Sequence, residues 1–545
     1  MVVAAEKKPS VANDTKTMSV SPRSLEVVIA LVGYAGAGCS DVSHRLQIAL
    51  DEKGYDPKPI KLSKLIEKHF NPEELPKIRD EAKHKGIDKL ERAIKLQDLG
   101  DKIRDDLGTD ILIKDAIAEF QSAREDIAPG KSKIAFILDS LKHVGEVELL
   151  KNLYGPSFRL LSVHCSKPRR ENRLIGLANS EAKFAGADSS KVKNFMERDE
   201  KDSLKKEFGQ QVRDAFYLGD YFLDNDNDDH EKTNLNNGID RFTDLLLGKR
   251  LFRPTREESG IYQAFAASRH SSCLSRQVGA ALYSSNGRLI ADGANEVPKF
   301  GGGVYGEDDG TPERRCFGWT FTSEGKPEFN GCHNTRKKHE IRTQIADWMK
   351  NGFAKKLAQA IDEKQDGFDA QQFISNLVIG VESCEEELEK APGIGQLIEF
   401  SRSIHAEMDA LLTASRSGYS TTATTLFCTT YPCHNCARHM VTAGVNKVIY
   451  VEPYVKSLAL ELHSDSLTDQ EAEAFDGDGK PQKMFIKAFT GVGPRMFDLH
   501  FKKSLELKNS DGSYNEPEGG TPVDAVRIDK LEENEKRVID MSSTS

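Results

Sequence analysis

Two short stretches hold residues that can do chemistry together: His405-Ala406-Glu407 and Pro432-Cys433-His434-Asn435-Cys436. One imidazole and two thiols are donors of the kind that bind zinc, and a catalytic zinc keeps its fourth position open. An ion held this way lowers the pKa of a bound water to about 7, which makes a nucleophile at neutral pH. Glu407, two residues past the histidine, falls away from the direction of His405, so it can reach a reacting group without ligating the metal. A carboxylate there can take a proton and hand it to a leaving group. Cys433 and Cys436, three apart, share one side of a helix. Pro432 suits the first turn of that helix, where its missing N–H costs nothing, and the positive helix end favours thiolates. A structural zinc knuckle, or a redox Cys-x-x-Cys beside a chance histidine, is the competing reading; a structural site calls for a fourth Cys or His.

The elements that must position these residues follow from pattern. A helix over Ile404–Ser415, a strand over Thr425–Thr429, a helix from Pro432 and a strand over Lys447–Val451 carry the two stretches. Before them come a helix over Ser259–Arg269 and strands over Val278–Tyr283 and Leu289–Asp292, joined by the hairpin signal Asn286-Gly287. Near the N-terminus, the apolar run Glu26–Val32 suits a buried parallel strand. It leads into Gly33-Tyr34-Ala35-Gly36-Ala37-Gly38-Cys39-Ser40 and then a helical pattern through Val42, Leu46 and Leu50. Further strands are expected at Ile134–Leu138, ending in Asp139, at Leu160–Cys165 and at Tyr221–Leu223; Asp224–Asn237 reads as a loop. The expected division is a disordered tail over 1–24, a phosphate-loop unit over 25–250, a zinc-binding unit over 251–508 and a flexible tail over 509–545.

The pattern H-x-E…P-C-x-x-C is the zinc-deaminase signature. From about residue 255 to 470 the chain resembles the deoxycytidylate deaminase family. The resemblance rests on Ser272-Cys273-Leu274-Ser275-Arg276-Gln277-Val278-Gly279-Ala280, on Gly293-Ala294-Asn295-Glu296 and on the two stretches above. It implies an α/β/α cytidine deaminase-like domain, Zn2+ as cofactor and deoxycytidine nucleotides, dCMP and/or dCTP, as substrate. It also implies that Asn295 contacts the deoxyribose and the backbone of Ala406 the base. The family's usual Asn-Gly reads Asn295-Glu296 here. Tyr454 is a candidate to stack on the base or to pack in the core, and Lys456 to contact phosphate or simply to be solvated. Cys273, Cys316, Cys332 and His333 form either a second, structural zinc site or a set of buried thiols. Gly301-Gly302-Gly303 is either a triphosphate wrap or a plain loop.

Gly33-x-x-x-x-Gly38-Cys39-Ser40 has phosphate-loop spacing, with Gly36 inside it, but Cys39 stands where a lysine should reach the phosphates. Its backbone can still form an anion nest, Ser40 can still bind Mg2+, and Asp139 is the expected second anchor of that ion. Arg169, Arg170 and Arg173 are spaced like the lid arginines of small nucleotide kinases. Phosphoryl transfer depends on the missing charge, so the unit reads as a nucleotide-binding or sensing module, or as a structural remnant. The whole arrangement, a degenerate P-loop kinase-like parallel-sheet domain before the deaminase, resembles the bacterial anti-phage dCTP/dCMP deaminases. That implies depletion of deoxycytidine nucleotides during phage infection, homo-oligomers and, in some relatives, restraint by a small RNA.

Bulk properties set the limits. The 545 residues carry a formal charge of -10, with 38% hydrophobic and 30% charged residues. An acidic balance argues against a polynucleotide as main substrate, because gripping one takes a basic face; so do only two tryptophans, few for stacking platforms. Nine cysteines, an odd number with one Cys-x-x-Cys, favour metal ligation over disulfides. No apolar run approaches the length of a membrane span, and the N-terminal residues lack a secretion-signal core, so a cytoplasmic protein is expected. Against nucleotide-pool deamination stand two other readings: deamination of cytosine in single-stranded nucleic acid, and a nucleotide- or RNA-binding regulator with an inert deaminase fold.

Overall fold

The computed structural model describes residues 25–71, 73–74, 89–126, 133–179, 189–200, 207–226, 232–249, 251–318, 320–323, 326–362, 369–383, 397, 400–454, 457–502, 508–515, 522, 531 and 533–538. It divides into two compact units, Met1–Leu251 with Ser504–Ser545, and Phe252–Lys503.

In the first unit, strands β1 (Val27–Gly33), β2 (Tyr55–Lys61), β3 (Lys133–Leu141), β4 (Phe158–His164) and β5 (Tyr221–Asp224) lie in the order β2-β3-β1-β4-β5. All four neighbouring pairs are parallel. β1 is buried along its whole length, as expected of an unalternating apolar strand covered on both faces. The glycine-rich turn follows β1 directly and opens the helix Cys39–Glu52. β2 escapes sequence reading because Pro57 and Pro59 lie within it. Prolines confine a strand to the sheet edge, and β2 ends the order, pairing in register with Lys133–Asp139.

Two expectations need correction. The segment over 224–237, expected as a loop, gives way to a helix at Thr233–Leu246. Leu235, Ile239, Phe242 and Leu246 form a buried stripe at helical spacing, which the Asn-rich sequence masks. The C-terminal segment expected as a flexible tail contributes Leu531 and Glu535, both buried, and residues 533–538 are helical. Arg124 explains why. Its guanidinium donates to Glu26 (2.7 and 2.8 Å) and to Glu535 (2.7 Å), while the Tyr154 hydroxyl donates to Glu535 at 2.7 Å. A polar sequence gives no hint of a carboxylate held from both sides.

In the second unit the sheet runs β12 (Leu467–Thr468), β13 (Met484–Ala488), β11 (Val445–Glu452), β10 (Thr424–Thr430), β6 (Gly279–Tyr283), β7 (Leu289–Ala294). β12 to β10 are parallel, and the β6–β7 hairpin joins β10 antiparallel. Gly287 closes the hairpin at φ 81°. A separate two-stranded piece is formed by β8 (Thr320–Ser323) and β9 (Lys326–Asn330). Strand alternation sorts the two faces. Ala280 and Leu282 pack with the helices Ala406–Arg416 and His434–Thr442. On the other face Phe427 meets the helix Arg256–Ser268 at Gly260, where any Cβ would fall 2.4 Å from its ring.

Glu535→Ala removes the acceptor of both Arg124 and Tyr154. It should cost the first unit about 1–3 kcal/mol, read as a lower urea midpoint; an unchanged midpoint would mean the C-terminal segment adds nothing to that unit.

Candidate metal centre and its cleft

His405 caps the helix Ala406–Arg416 with extended backbone, φ -80° and ψ 151°. Three ties fix this helix start to β7 and its following turn. The Ile404 N–H donates to the Glu296 carbonyl (3.0 Å), the Ala294 N–H to Asp409 Oδ2 (3.1 Å), and Gly293 lets the two backbones touch. A Cβ at Gly293 would lie 2.4 Å from the Ala410 nitrogen and 2.5 Å from the Ala406 carbonyl. Glu296 is fully buried. Its carboxylate accepts from the Ser272 N–H (2.7 Å) and hydroxyl (2.5 Å) and from the Val297 N–H (2.8 Å). Glu296 is therefore a brace.

Cys433 caps the helix His434–Thr442, and its sulfur accepts from the Cys436 N–H at 3.4 Å. Pro432 sits one residue before the cap, not in the first turn as its ring chemistry had suggested; its carbonyl accepts from Ser457 Oγ at 2.8 Å. His405 Nδ1 lies 3.3 Å from Cys433 Sγ and 3.3 Å from Cys436 Sγ. The three donor atoms all lie within 4.8 Å of one another, the one such group among the described residues.

The donor set fits zinc. With bonds of about 2.3 Å to sulfur and about 2.0 Å to nitrogen, tetrahedral geometry sets N–S separations near those seen. The electrostatics agree. Cys433 is drawn down to about 4, chiefly by a hydrogen bond from Cys436 and then by His405, against burial. Cys436 is pushed well up, first by its bond to Cys433 and then by burial. Its bond with Cys433 holds His405 up, at about 9. The trio thus favours one thiolate over two, and a divalent cation held among the donors would stabilise both.

The cleft at these donors is lined by Arg276, Asn295, Ala406, Glu407, Tyr431 and Tyr454, among others. Glu407 is buried; burial first, then Cys433, pushes its carboxyl above the usual range, while His405 and Cys436 pull it down. Asn295 spends its amide on protein as well: Oδ1 accepts from the Val278 N–H at 2.6 Å and Nδ2 donates to the Arg276 carbonyl at 2.8 Å. One donor and one acceptor position remain on it. Lys456 lies outside the described residues. The Gly301–Gly303 run is not among the residues lining this cleft.

Sequence reading gave no role to Glu452, nor to Arg276, although the latter lies in the stretch Ser272–Ala280. Glu452, buried at the end of β11, forms an ion pair with Arg276 at the cleft, whose side chain is 39% exposed. Cys273, Cys316, Cys332 and His333 share a second pocket, which also borders Asn295 and His405. The Cys332 sulfur lies 3.8 Å from Ser275 Oγ. These four do not close to within metal-binding reach as the first three do.

In the first unit, Ser40 and Asp139 are brought together, Ser40 Oγ donating to Asp139 Oδ2 at 2.7 Å. The arginines serve the loop itself. Arg173 donates to the Gly36 and Ala37 carbonyls at 3.2 Å each, Arg170 stacks over Tyr34 and pairs with Glu200, and Arg169 pairs with Asp226.

Residues 254–452 match the family model of the cytidine and deoxycytidylate deaminase zinc-binding region. Over 54 residues the chain is 41% identical to the deoxycytidylate deaminase of Enterobacteria phage T2, a stretch that makes up 10% of this chain and 29% of that relative. The chain thus spans less than a third of the length of that curated relative. A UPF0200 protein of Saccharolobus islandicus is 24% identical over 204 residues, covering 37% of this chain and 87% of the relative. The crystal structure of dCMP deaminase from the cyanophage S-TIM5 in complex with dCMP and dUMP aligns at 17% identity and a TM-score of 0.22, covering 44% of this chain and 99% of that one. Residues 254–452 of the second unit, which hold the three donors and Glu407, are thus similar to the zinc-binding region of the cytidine and deoxycytidylate deaminases. No helix among the described residues is long and apolar enough to cross a membrane.

Gly293→Ala should push the helix Ala406–Arg416 off β7. The expected outcome is a loss of about 1–3 kcal/mol of stability together with a fall in bound zinc, measured by denaturation and metal analysis. Full zinc content at unchanged stability would show that the close approach does not seat His405.

Proposed function

We propose that the second unit hydrolyses deoxycytidine nucleotides, dCMP and/or dCTP, to the deoxyuridine nucleotides and ammonia. The observation that carries this reading is one cleft in which three zinc-type donors converge beside a buried carboxyl, within the region that matches the family. His405, Cys433 and Cys436 would hold the ion. When bound, zinc supplies an acidified water as nucleophile and leaves one position for it.

The chain's own residues do the rest. Glu407 takes a proton from the attacking water and donates it to N3 of the base. Once oxygen has bonded to C4, Glu407 takes the remaining proton of that oxygen and delivers it to N4, and the C4–N4 bond breaks so that the amino group leaves as ammonia. Burial suits this task, since a carboxyl shielded from bulk water exchanges protons only with the reacting water and base. The Ala406 backbone meets the base, Asn295 offers its remaining donor and acceptor to the deoxyribose, and Tyr454 stacks from the side. Arg276, held by Glu452, would meet a phosphate, with Lys456 as a second cation.

The family resemblance extends the reading. It adds depletion of the deoxycytidine nucleotide pool in anti-phage defence, a cytoplasmic homo-oligomer, an inhibitory small RNA, and a P-loop kinase-like first unit that binds nucleotide with Mg2+.

Ammonia release tests the proposal, with dCMP, dCTP, CTP, deoxycytidine and a cytosine-rich DNA strand offered in parallel. Release is expected from dCMP or dCTP, falling by about 10²–10⁴ in Glu407→Gln while zinc stays bound. Release from the DNA strand alone would move the assignment to polynucleotide editing. Chelation should abolish the activity and added zinc restore it; turnover that survives complete removal of the metal would contradict the assignment of the three donors.

A further inference from the structure

The turn after β1 is built to hold an anion. Gly36 and Gly38 adopt φ of 82° and 85°, backbone that directs successive N–H groups to one side. Neither tolerates a side chain: a Cβ on Gly36 would fall 2.7 Å from the Arg170 carbonyl, and one on Gly38 would fall 2.4 Å from Asn225 Nδ2. The loop is fixed through its carbonyls, Gly36 and Ala37 accepting from Arg173 and Ala37 also from Asn225 Nδ2 at 2.8 Å. The amides of Gly36, Gly38, Cys39 and Ser40 find no acceptor among the described residues.

A second observation points to a cation at the same place. Asp139 is 6% exposed, and while its Oδ2 takes the Ser40 hydroxyl, its buried Oδ1 has no partner among the described residues. A buried carboxylate oxygen left this way is costly, and a serine and an aspartate so placed are the ligands that hold Mg2+ beside a bound phosphate.

What the loop lacks is charge. The buried Cys39 side chain, a thiol, stands where a lysine would carry a positive charge to the phosphates. Lys142, just past β3, stands in the gap. Its Nζ lies 3.2 Å from the Gly33 carbonyl and 2.7 Å from Asp199 Oδ1. The other oxygen of Asp199 accepts the Ala35 N–H at 2.6 Å, and this side chain is 2% exposed. One carboxylate is thus held between a loop amide and a lysine, the two kinds of donor that grip a phosphate.

We propose that the first unit binds the polyphosphate of a nucleotide with a divalent cation, that Lys142 replaces the missing loop lysine, and that Asp199 holds Lys142 until ligand draws it away. This rests on the reading of that unit as a phosphate-binding module. Binding requires the Lys142 ammonium to leave Asp199, so the aspartate competes with the ligand for it and sets the affinity.

The test is calorimetric titration of the full chain with magnesium triphosphate, on wild type, Lys142→Met, Asp199→Asn and Lys61→Met. Lys61 is the control because its Nζ lies 3.4 Å from Ser40 Oγ. Lys142→Met should weaken binding by about ten-fold or more, as loss of a charged hydrogen bond does. Asp199→Asn keeps the shape but removes the competing charge, and should tighten binding or reveal it where wild type shows none. Urea midpoints of the variants confirm that they fold. Binding unchanged in Lys142→Met, or lost only in Lys61→Met, would overturn the role of Lys142 while leaving a phosphate-binding module in place. Weaker binding in folded Asp199→Asn would overturn the competition. No binding in wild type and none in Asp199→Asn would overturn the phosphate-binding reading itself.

Discussion

The second unit depends on one close approach. The helix Ala406–Arg416 lies against β7 at Gly293 with no side chain between the two backbones. Its first residues therefore sit at a fixed height above the sheet, and both His405, as cap, and Glu407, in the first turn, inherit that height. The second helix start, at Cys433, follows from the end of the central strand β10. Two helix N-termini thus meet at one edge of the sheet, and the partial positive charge of each favours the anionic groups gathered there. Chemistry is placed by the elements that have the least freedom to move.

The same reasoning separates what was legible in the sequence from what was not. His405, Glu407, Cys433 and Cys436 could be read because each pair is set by local spacing along one helix start. Gly293, Glu296 and Asp409 could not, because their work is done across the chain, on backbone groups that pattern does not reveal. Arg276 stood in a motif that drew notice, but only the fold pairs it with Glu452. β2 was hidden by its prolines, and Glu535 by the polar sequence around it. In each case a long-range partner decided the role.

The first unit shows a different economy. Its turn keeps the glycine conformations, the serine and the aspartate of a phosphate loop, yet a neutral thiol stands at the lysine position. The arginines that spacing suggested for a lid instead hold the loop's own carbonyls and neighbours. A loop braced from outside in this way is preorganised, so ligand binding need not order it. The acidic net charge of the chain is also compatible with a small anionic ligand, because local donors, rather than the long-range field, then select it.

The most direct test of the central claim is zinc X-ray absorption on the full chain, compared with His405→Ala. The ion lost in the variant should show about two sulfurs near 2.3 Å and about two nitrogen or oxygen neighbours near 2.0 Å, the pattern of one imidazole, two thiolates and an open position held by water. A shell of four sulfurs for that ion, or zinc content unaffected by His405→Ala, would contradict a catalytic metal at His405, Cys433 and Cys436.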